Sequence, residues 1–544
     1  MRMSSMRTLW TASLAVTLAG CSLAPTYDRP AAPVSGTYPT GPAYGSPDQS
    51  NARPDGVATA DIGWREFFTD PLLQQLIEIS LANNRDLRIA ALNVESAQAQ
   101  YRIERANLFP SVGVGGQANI QRTPGDLSIS GSPSTSRTYS VGASFSDWEL
   151  DLFGRIRSLS DAALQEYFGL EDTREATQLS LIAELANAYM TFRADQELLA
   201  LTEETLATQK QSYDLTLQGY DGGVNTALDL SQAEVSVRTA ERNYALYTRQ
   251  VANDRNALVL LLGQPLDDNM ERALQQANRL DDNALPTALP AGLPSDLLTR
   301  RPDVRAAEHQ LMSANANIGA ARAAFFPRIG LTASGGTSSS SLDGLFKAGS
   351  GTWAFSPLIS VPIFAGGQLR ASLDVAEIQK DARIAQYERT IQTGFREVAD
   401  ALAGRGTLDQ QIRSQEQLVA ATQRAYDVSD QLFRGGISNY LTLLDSQRSL
   451  YDAQQTLVTT RLSRISNLIT LYKVLGGGWT ERTPASAAAP GAAAAGTTAP
   501  GTTAPGMATT SATSAQRPAG SASSSYMRPQ PGTVTRVQQP SSNR

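Results

Sequence analysis

The sequence contains 544 residues, 41% of them apolar, so the chain is long enough to bury a large core. Its formal net charge of −6 argues against nucleic acid as a partner. It has one cysteine, Cys21, and one histidine, His309, which excludes a disulfide framework and a Cys/His metal cluster within one chain.

The N-terminus has the pattern of an export signal. Two arginines precede an apolar segment from Leu9 to Ala19, which is too short to span a membrane as a mature helix. The small residues that lead into Cys21 resemble a bacterial lipobox, although an ordinary signal peptide with an incidental cysteine has the same outline. The lipobox implies a lipoprotein signal peptide over residues 1–20, cleavage before Cys21 and lipid on that residue. Each buried CH₂ of the lipid would contribute ~0.8 kcal/mol to membrane attachment.

Residues 21–80 are predicted to form a lipidated N-terminal strap followed by an equatorial segment. The stretch over residues 31–60 is rich in Pro, Gly and Ser, which is typical of extended chain. Asp70 and Pro71 then predict the start of a helix, because aspartate is favoured at the N-cap and proline at the first helical position.

The body of the chain is a sequence repeated twice at an offset of 213 residues. The matched positions include Asp86 with Asp303, Pro110 with Pro327, Tyr213 with Tyr426, and Gly222-Gly223 with Gly435-Gly436. The first repeat covers residues 81–263 and the second covers 298–480, with an equatorial connection over 264–297. Each repeat is predicted to contain, in order, a helix, two strands, a long helix, a turn and a returning helix. Residues 481–544 are rich in Ala, Pro, Gly, Ser and Thr and are predicted to be disordered.

Four segments of about ten residues alternate between apolar and polar side chains, as β-strands with two different faces do. Their apolar members are Val112, Val114, Ala118 and Ile120; Tyr139, Val141, Ala143 and Phe145; Ile329, Leu331 and Ala333; and Trp353, Phe355, Ile359, Val361 and Ile363. Loops over residues 122–137 and 335–351 join the strands in pairs. Such strands can cross a bilayer when tilted, but a soluble antiparallel sheet with one wet face alternates in the same way. The predicted export and lipid favour the membrane.

Four strands are too few to close a membrane barrel. The smallest closed barrels have about eight strands, and an open edge in lipid leaves backbone groups unpaired. We therefore expect several copies of the chain to share one barrel.

The stretch from Arg155 to Tyr220 is predicted to be one helix roughly 100 Å long, because it contains no proline and only two glycines. It ends at Asp221-Gly222-Gly223, and a second helix returns with a heptad pattern that only Asp254 interrupts. The second repeat turns in the same way at Arg434-Gly435-Gly436. Two such hairpins have more apolar helix surface than they can bury against each other, which again indicates neighbouring copies of the chain.

With these features in place, the chain resembles the TolC-like outer membrane efflux proteins of the NodT lipoprotein subfamily. The resembling stretches are Ala24 to Pro30, Trp148 to Arg155, Leu297 to Glu308, Val361 to Gly367, Asn439 to Leu450, and Leu471 to Trp479. The resemblance implies a mixed α and β fold in a homotrimer. Four strands from each chain would form a twelve-strand barrel in the outer membrane, continuous with a long periplasmic α-helical barrel of coiled-coil hairpins.

The resemblance also implies a function. The protein would be the outer membrane channel of a tripartite efflux pump, a passive duct for small molecules such as drugs, gated by an iris-like movement of the periplasmic helices. Its partners would be a periplasmic adaptor and an inner-membrane pump of the resistance-nodulation-division type. Two alternatives remain: an exit duct for type I protein secretion, and a structural lipoprotein that tethers the outer membrane to the cell wall.

Two sets of residues match functional positions of this subfamily. Leu441 and Asp445 match an apolar and an acidic ring at the periplasmic aperture, and Asp229 is the acidic residue nearest the first turn. The predicted tips that dock the adaptor are Asp221, Gly222, Gly223, Arg434, Gly435 and Gly436. Asp445 is also compatible with an ordinary solvated helix surface. Arg434 and Asp221 could also pair across hairpins, but an exposed pair contributes only ~0–1 kcal/mol, so both residues are interpreted as docking surface. Ser438 replaces an arginine that locks the closed state in more distant relatives, so that lock is not expected here.

The sequence contains no catalytic set. Adjacent acids such as Glu203 and Glu204 point in different directions on a helix, and His309 is interpreted as a helix-surface or packing residue. No enzyme activity, metal or cofactor is expected apart from the lipid on Cys21.

Overall fold

The computed structural model describes residues 22–44, 58–129, 131–276, 279–280, 285–286, 289 and 294–484. The chain divides into two compact units, Met1–Gly491 and Ala492–Arg544, and the second lies entirely outside the described residues. The predicted signal peptide, Cys21 and the tail beyond residue 484 also lie outside them.

Both halves of the described chain contain the predicted order of elements. Two helices precede the first repeat: α1 (Trp64–Phe67) and α2 (Pro71–Asn83). The first repeat consists of α3 (Arg85–Ala106), β1 (Gly113–Thr123), β2 (Ser134–Glu149), α4 (Arg155–Asp221) and α5 (Ala227–Leu262). The connection contains α6 (Asp268–Gln276) and α7 (Leu297–Arg300). The second repeat consists of α8 (Pro302–Ala323), β3 (Arg328–Ser339), β4 (Gly351–Ser360), α9 (Gln368–Arg434) and α10 (Tyr440–Val474).

The four strands form one antiparallel sheet in the order β1-β2-β3-β4. Its register places the apolar members of neighbouring strands opposite one another on one face. These pairs are Ala118 with Tyr139, Phe145 with Ala333, Ala333 with Phe355, and Ile329 with Ile359. The other face carries mostly polar and small side chains, such as Gln117 opposite Ser140. The predicted two-residue alternation is therefore confirmed, and the apolar face is exposed in the single chain.

A β-bulge interrupts the pairing of β2 with β3 between Phe145 and Trp148. Asp147 in the bulge has a φ of 49°, a left-handed conformation that aspartate tolerates better than most residues. Its backbone N–H donates to Thr332 Oγ1 at 3.1 Å. Residues three apart in a regular strand lie on opposite faces, so the bulge is what keeps Phe145 and Trp148 on the same face.

The prediction that the fourth strand extends to Ile363 is wrong, because β4 ends at Ser360. Val361 and Ile363 flank Pro362, which has no N–H to donate to a neighbouring strand. Both side chains are exposed beyond the end of the sheet.

The long helices are confirmed. α4 and α9 contain 67 residues each, which corresponds to about 100 Å. Both follow a glycine in the left-handed conformation: Gly154 with φ 75° and Gly367 with φ 88°. α4 packs against α5 and α8, α9 packs against α10 and α8, and α4 also contacts α10, so the two hairpins lie side by side. No helix among the described residues has both the length and the apolar content needed to cross a membrane.

The largest apolar core surrounds the middle of the long helices. It unites the two stretches predicted to be equatorial, which are α1 with α2 and the connection between the repeats, with Leu475 just after α10. The rings of Phe67 and Tyr472 stack at 3.8 Å between centroids, and the Tyr472 hydroxyl donates to Ile62 O at 2.6 Å. The backbone N–H of Trp64 donates to Thr480 O at 3.0 Å, which joins the end of the second repeat to the start of α1.

Candidate functional site

The two hairpin tips have the same backbone geometry at the repeat offset. α4 ends at Asp221 and α9 at Arg434. The N–H of Val224 donates to Gly219 O at 2.7 Å, and the N–H of Ile437 donates to Leu432 O at 2.9 Å. Such bonds close the end of a helix only if one residue of the turn takes a positive φ, and glycine meets that condition at no steric cost. Gly223 has φ 74° and Gly436 has φ 69°, as the paired glycines in the sequence predicted.

The helix that leaves each tip is capped by a side chain. Thr226 accepts from the backbone N–H of Asp229, and Asn439 accepts from that of Thr442. The Asp229 carboxylate accepts from the backbone N–H of Thr226 at 2.9 Å and from its hydroxyl at 2.6 Å, which completes a capping box. Asp229 thus uses its carboxylate to start α5, and its role at an aperture stays a prediction.

Leu441 and Asp445 are four residues apart at the start of α10 and share one face of that helix. Leu441 is 53% exposed, and Asp445 is also exposed. Within the described part of the chain, the Asp445 carboxylate makes no hydrogen bond and no ion pair. Both side chains are therefore available to neighbouring molecules or solvent.

The opposite face of α10 is buried in a small apolar cluster, which we call the tip cluster. Its buried members are Ala233, Tyr440, Leu443 and Leu444, and Tyr213, Tyr426 and Phe433 pack against them. The cluster draws residues from α4, α5, α9 and α10, so it joins the two hairpins beside the exposed face of Leu441 and Asp445. The tip cluster is not predicted from the sequence, although Tyr213 and Tyr426 are a matched pair of the repeat.

Arg434 does not pair with Asp221 within the described chain. Arg434 Nε lies 2.7 Å from Asp430 Oδ2, on the same helix and one turn earlier. Side chains four residues apart lie on one helical face, so Arg434 finds this acid without reaching the other hairpin. The pair is exposed and adds about 0.3–0.5 kcal/mol at most.

Between the tip cluster and the large core, α4 and α10 contact each other through polar side chains. Gln447 Nε2 donates to Ser212 Oγ at 3.1 Å, and the hydroxyl oxygens of Thr202 and Tyr451 lie 2.7 Å apart. A cavity of about 120 Å³ lies here, lined in part by Gln209 and Gln447. The hairpins thus contact each other through apolar side chains at the tip and at the middle, and through polar side chains between these two levels.

The N-terminal strap is attached to α8. Arg29 binds the Glu308 carboxylate through two hydrogen bonds of 2.7 and 2.9 Å, and the Tyr27 hydroxyl donates to it at 2.9 Å. Burial and the contact with Glu308 raise the pKa of Tyr27, so its hydroxyl keeps the proton it donates. Asn315 Nδ2 donates to Pro25 O at 2.7 Å. Cys21 lies outside the described residues, four positions before Pro25, so its lipidation stays a prediction.

His309 is a packing residue between α4 and α8. Its Nδ1 lies 2.7 Å from Gln165 Oε1, and its ring contacts that of Phe168 at 5.5 Å. The described residues contain no cluster of three or more His, Cys, Asp or Glu side chains that could hold a metal ion.

Comparison with known proteins gives a consistent picture. The family model of the outer membrane efflux proteins matches residues 76–264 and 293–477. The toluene efflux pump outer membrane protein TtgC of Pseudomonas putida is 51% identical over 474 residues, which are 87% of this chain and 96% of that protein. The outer membrane protein OprJ of Pseudomonas aeruginosa is 42% identical over 86% of this chain and 95% of its own length. The open state of the Neisseria gonorrhoeae MtrE outer membrane channel superposes with a TM-score of 0.73 at 39% identity, covering 85% of this chain and all of that one.

Proposed function

The chain belongs to the outer membrane efflux protein family, and from this membership we propose that it is the outer membrane channel of a tripartite efflux pump. It acts as a passive exit duct for small molecules and is not an enzyme. The observation that carries the proposal is a sheet with one exposed apolar face joined to helical hairpins about 100 Å long. Such a chain supplies both a bilayer segment and a long extension on one side of it.

The channel is a homotrimer. In the described chain, β1 and β4 each pair along one edge only, and an unpaired edge in lipid costs several kcal/mol for each backbone group. Three copies would join β4 of one chain to β1 of the next and close a ring of twelve strands. Helix α3 has no buried residue and carries the exposed apolar side chains Ile89, Leu92 and Ile103. These side chains support contacts between copies.

The partners are a periplasmic adaptor and an inner-membrane pump of the resistance-nodulation-division type. The adaptor docks on the tips around Asp221, Gly222 and Gly223 and around Arg434, Gly435 and Gly436. Since the duct itself is passive, the pump supplies the energy. The name of the relative TtgC, a toluene efflux protein, supports small apolar molecules as cargo. Lipid on Cys21 adds a second attachment to the outer membrane.

The aperture is formed by Leu441 and Asp445, with Asp229 nearby in the first repeat. Threefold symmetry would bring three copies of the exposed Asp445 carboxylate toward one axis. Carboxylates that lie close together attract cations and repel anions, so the ring would favour cationic solutes.

Conductance across planar bilayers tests this proposal. Purified trimers should form a pore, and Asp445→Ala should lower its preference for cations because the acidic ring is gone. Asp452→Ala, which removes an exposed acid two turns further along α10, should leave the preference unchanged. Absence of any pore in the wild type and in Asp445→Ala would overturn the proposal.

A further inference from the structure

Asp254, the residue that interrupts the heptad pattern of α5, faces a second acid on α4. This partner is Asp195, whose side chain is buried, with 5% of the residue exposed. The two carboxyl groups lie within hydrogen-bonding reach of each other. The Oδ2 atoms of both are inaccessible to solvent and have no hydrogen-bond partner elsewhere in the described chain.

The surroundings of the pair are apolar. Leu198, one turn after Asp195, and Leu258, one turn after Asp254, are both buried members of the large core. Tyr247 is a further titratable group close to Asp195, and its hydroxyl accepts a hydrogen bond from Gln455 Nε2 at 3.0 Å. The pair thus lies where the apolar core begins, between the two helices of the first hairpin.

Three arginines on the elements around the pair bind other acids. These contacts are Arg193 with Asp70 at 3.0 Å, Arg255 with Glu271 at 2.8 Å, and Arg461 with Glu197 at 3.2 Å. They involve α4, α5, α6, α10 and the cap of α2, which are the elements packed around this part of the hairpin. No lysine, arginine or histidine in the described residues forms an ion pair with Asp195 or Asp254.

Two adjacent carboxylates without a cation are stable only if one of them keeps its proton. The protonated group then donates a hydrogen bond to the ionised one, which uses the two otherwise unpartnered oxygens. Burial, followed by the contact with Asp254, raises the pKa of Asp195 to about 7, and burial raises that of Asp254.

We propose that Asp195 and Asp254 form a proton-binding site that joins α4 to α5 while it holds one shared proton and loosens the two helices when that proton leaves. The pKa of Asp195 is higher in the folded chain than in the unfolded chain. The shared proton therefore contributes its full stabilisation below the unfolded pKa, and this stabilisation is lost as the pH rises through the folded pKa.

Thermal unfolding of the full-length protein in detergent, measured from about pH 5.5 to about pH 8.5, tests the proposal. The Tm of the wild type should fall as the pH rises. Asp195→Asn and Asp254→Asn should flatten that fall, because an amide N–H donates to the remaining carboxylate at every pH. The curves should therefore cross, with the variants less stable in acid and more stable in base. Asp214→Asn, an exposed position on α4, should follow the wild type.

A second measurement does not require variants. The infrared band of a protonated carboxyl group should be present in the wild type near pH 6, and its intensity should fall about tenfold for each pH unit above the pKa. Absence of that band near pH 6 would overturn the proposal. So would variant curves that run parallel to the wild type, or a recovery of wild-type stability at high pH on adding Ca²⁺, which would make the pair a metal site.

Discussion

At the scale of single residues, Glu308 decides where the N-terminal strap lies. Glu308 is 5% exposed, and its carboxylate would be costly to bury alone. The two hydrogen bonds from Arg29 and the one from Tyr27 compensate this cost, because a paired and hydrogen-bonded carboxylate loses little on leaving water.

Removal of this carboxylate should release the strap. We expect Glu308→Ala to cost roughly 1.5–3 kcal/mol of local stability, since hydrogen bonds to a charged group are lost. Limited proteolysis of the folded protein should then cut the strap near Tyr27 faster than in the wild type. Glu308→Gln keeps an acceptor and should fall between the two, whereas Glu95→Ala, at an exposed site on α3, should match the wild type. Equal protection of the strap in all four proteins would contradict this account of Glu308.

At the scale of the elements, the attachment of one hairpin to the other is uneven along its length. The large core joins them near the middle, and the tip cluster joins them at the turn. Between these levels lie the polar contacts and the cavity at Gln209 and Gln447. Polar contacts exchange with water at little net cost, so the tip cluster supplies most of the cohesion between the hairpins near their turns.

The tip cluster should therefore restrain α10. Leu444 is 1% exposed, and Leu444→Ala should cost about 2–5 kcal/mol by removing buried apolar contacts. Hydrogen exchange in the first turns of α10 should become faster, and the pore should spend more time in its state of larger conductance. Leu418→Ala, at a half-exposed site on α9, is the matched control and should change neither quantity. Unchanged exchange in Leu444→Ala would show that the cluster does not hold the tip.

Several elements could be predicted from the sequence because their cause is local. The paired glycines at 222–223 and 435–436 stop the long helices wherever the rest of the chain lies, and the alternating strands show one apolar face by themselves. The end of β4 was misplaced because apolar alternation continues past Pro362, where pairing cannot. The tip cluster, the Arg434 pair and the partner of Asp254 depend on which helices meet, and a repeat in the sequence does not reveal that.

At the scale of the whole molecule, a single chain is incomplete in two ways. Both edges of its sheet are unpaired in the described residues, and the apolar face of that sheet and the flank of α3 remain exposed. Membership of the efflux family accounts for these surfaces, because a ring of identical copies pairs the sheet edges and covers the flank of α3. The apolar face of the sheet then contacts lipid, and a passage remains along the axis of the ring.

The most direct test is the mass of the complex, measured by native mass spectrometry after the protein is extracted from outer membranes in detergent. A single species with three copies of the chain is expected. A stable, water-soluble single copy, with both edges of its sheet protected from hydrogen exchange, would contradict the account.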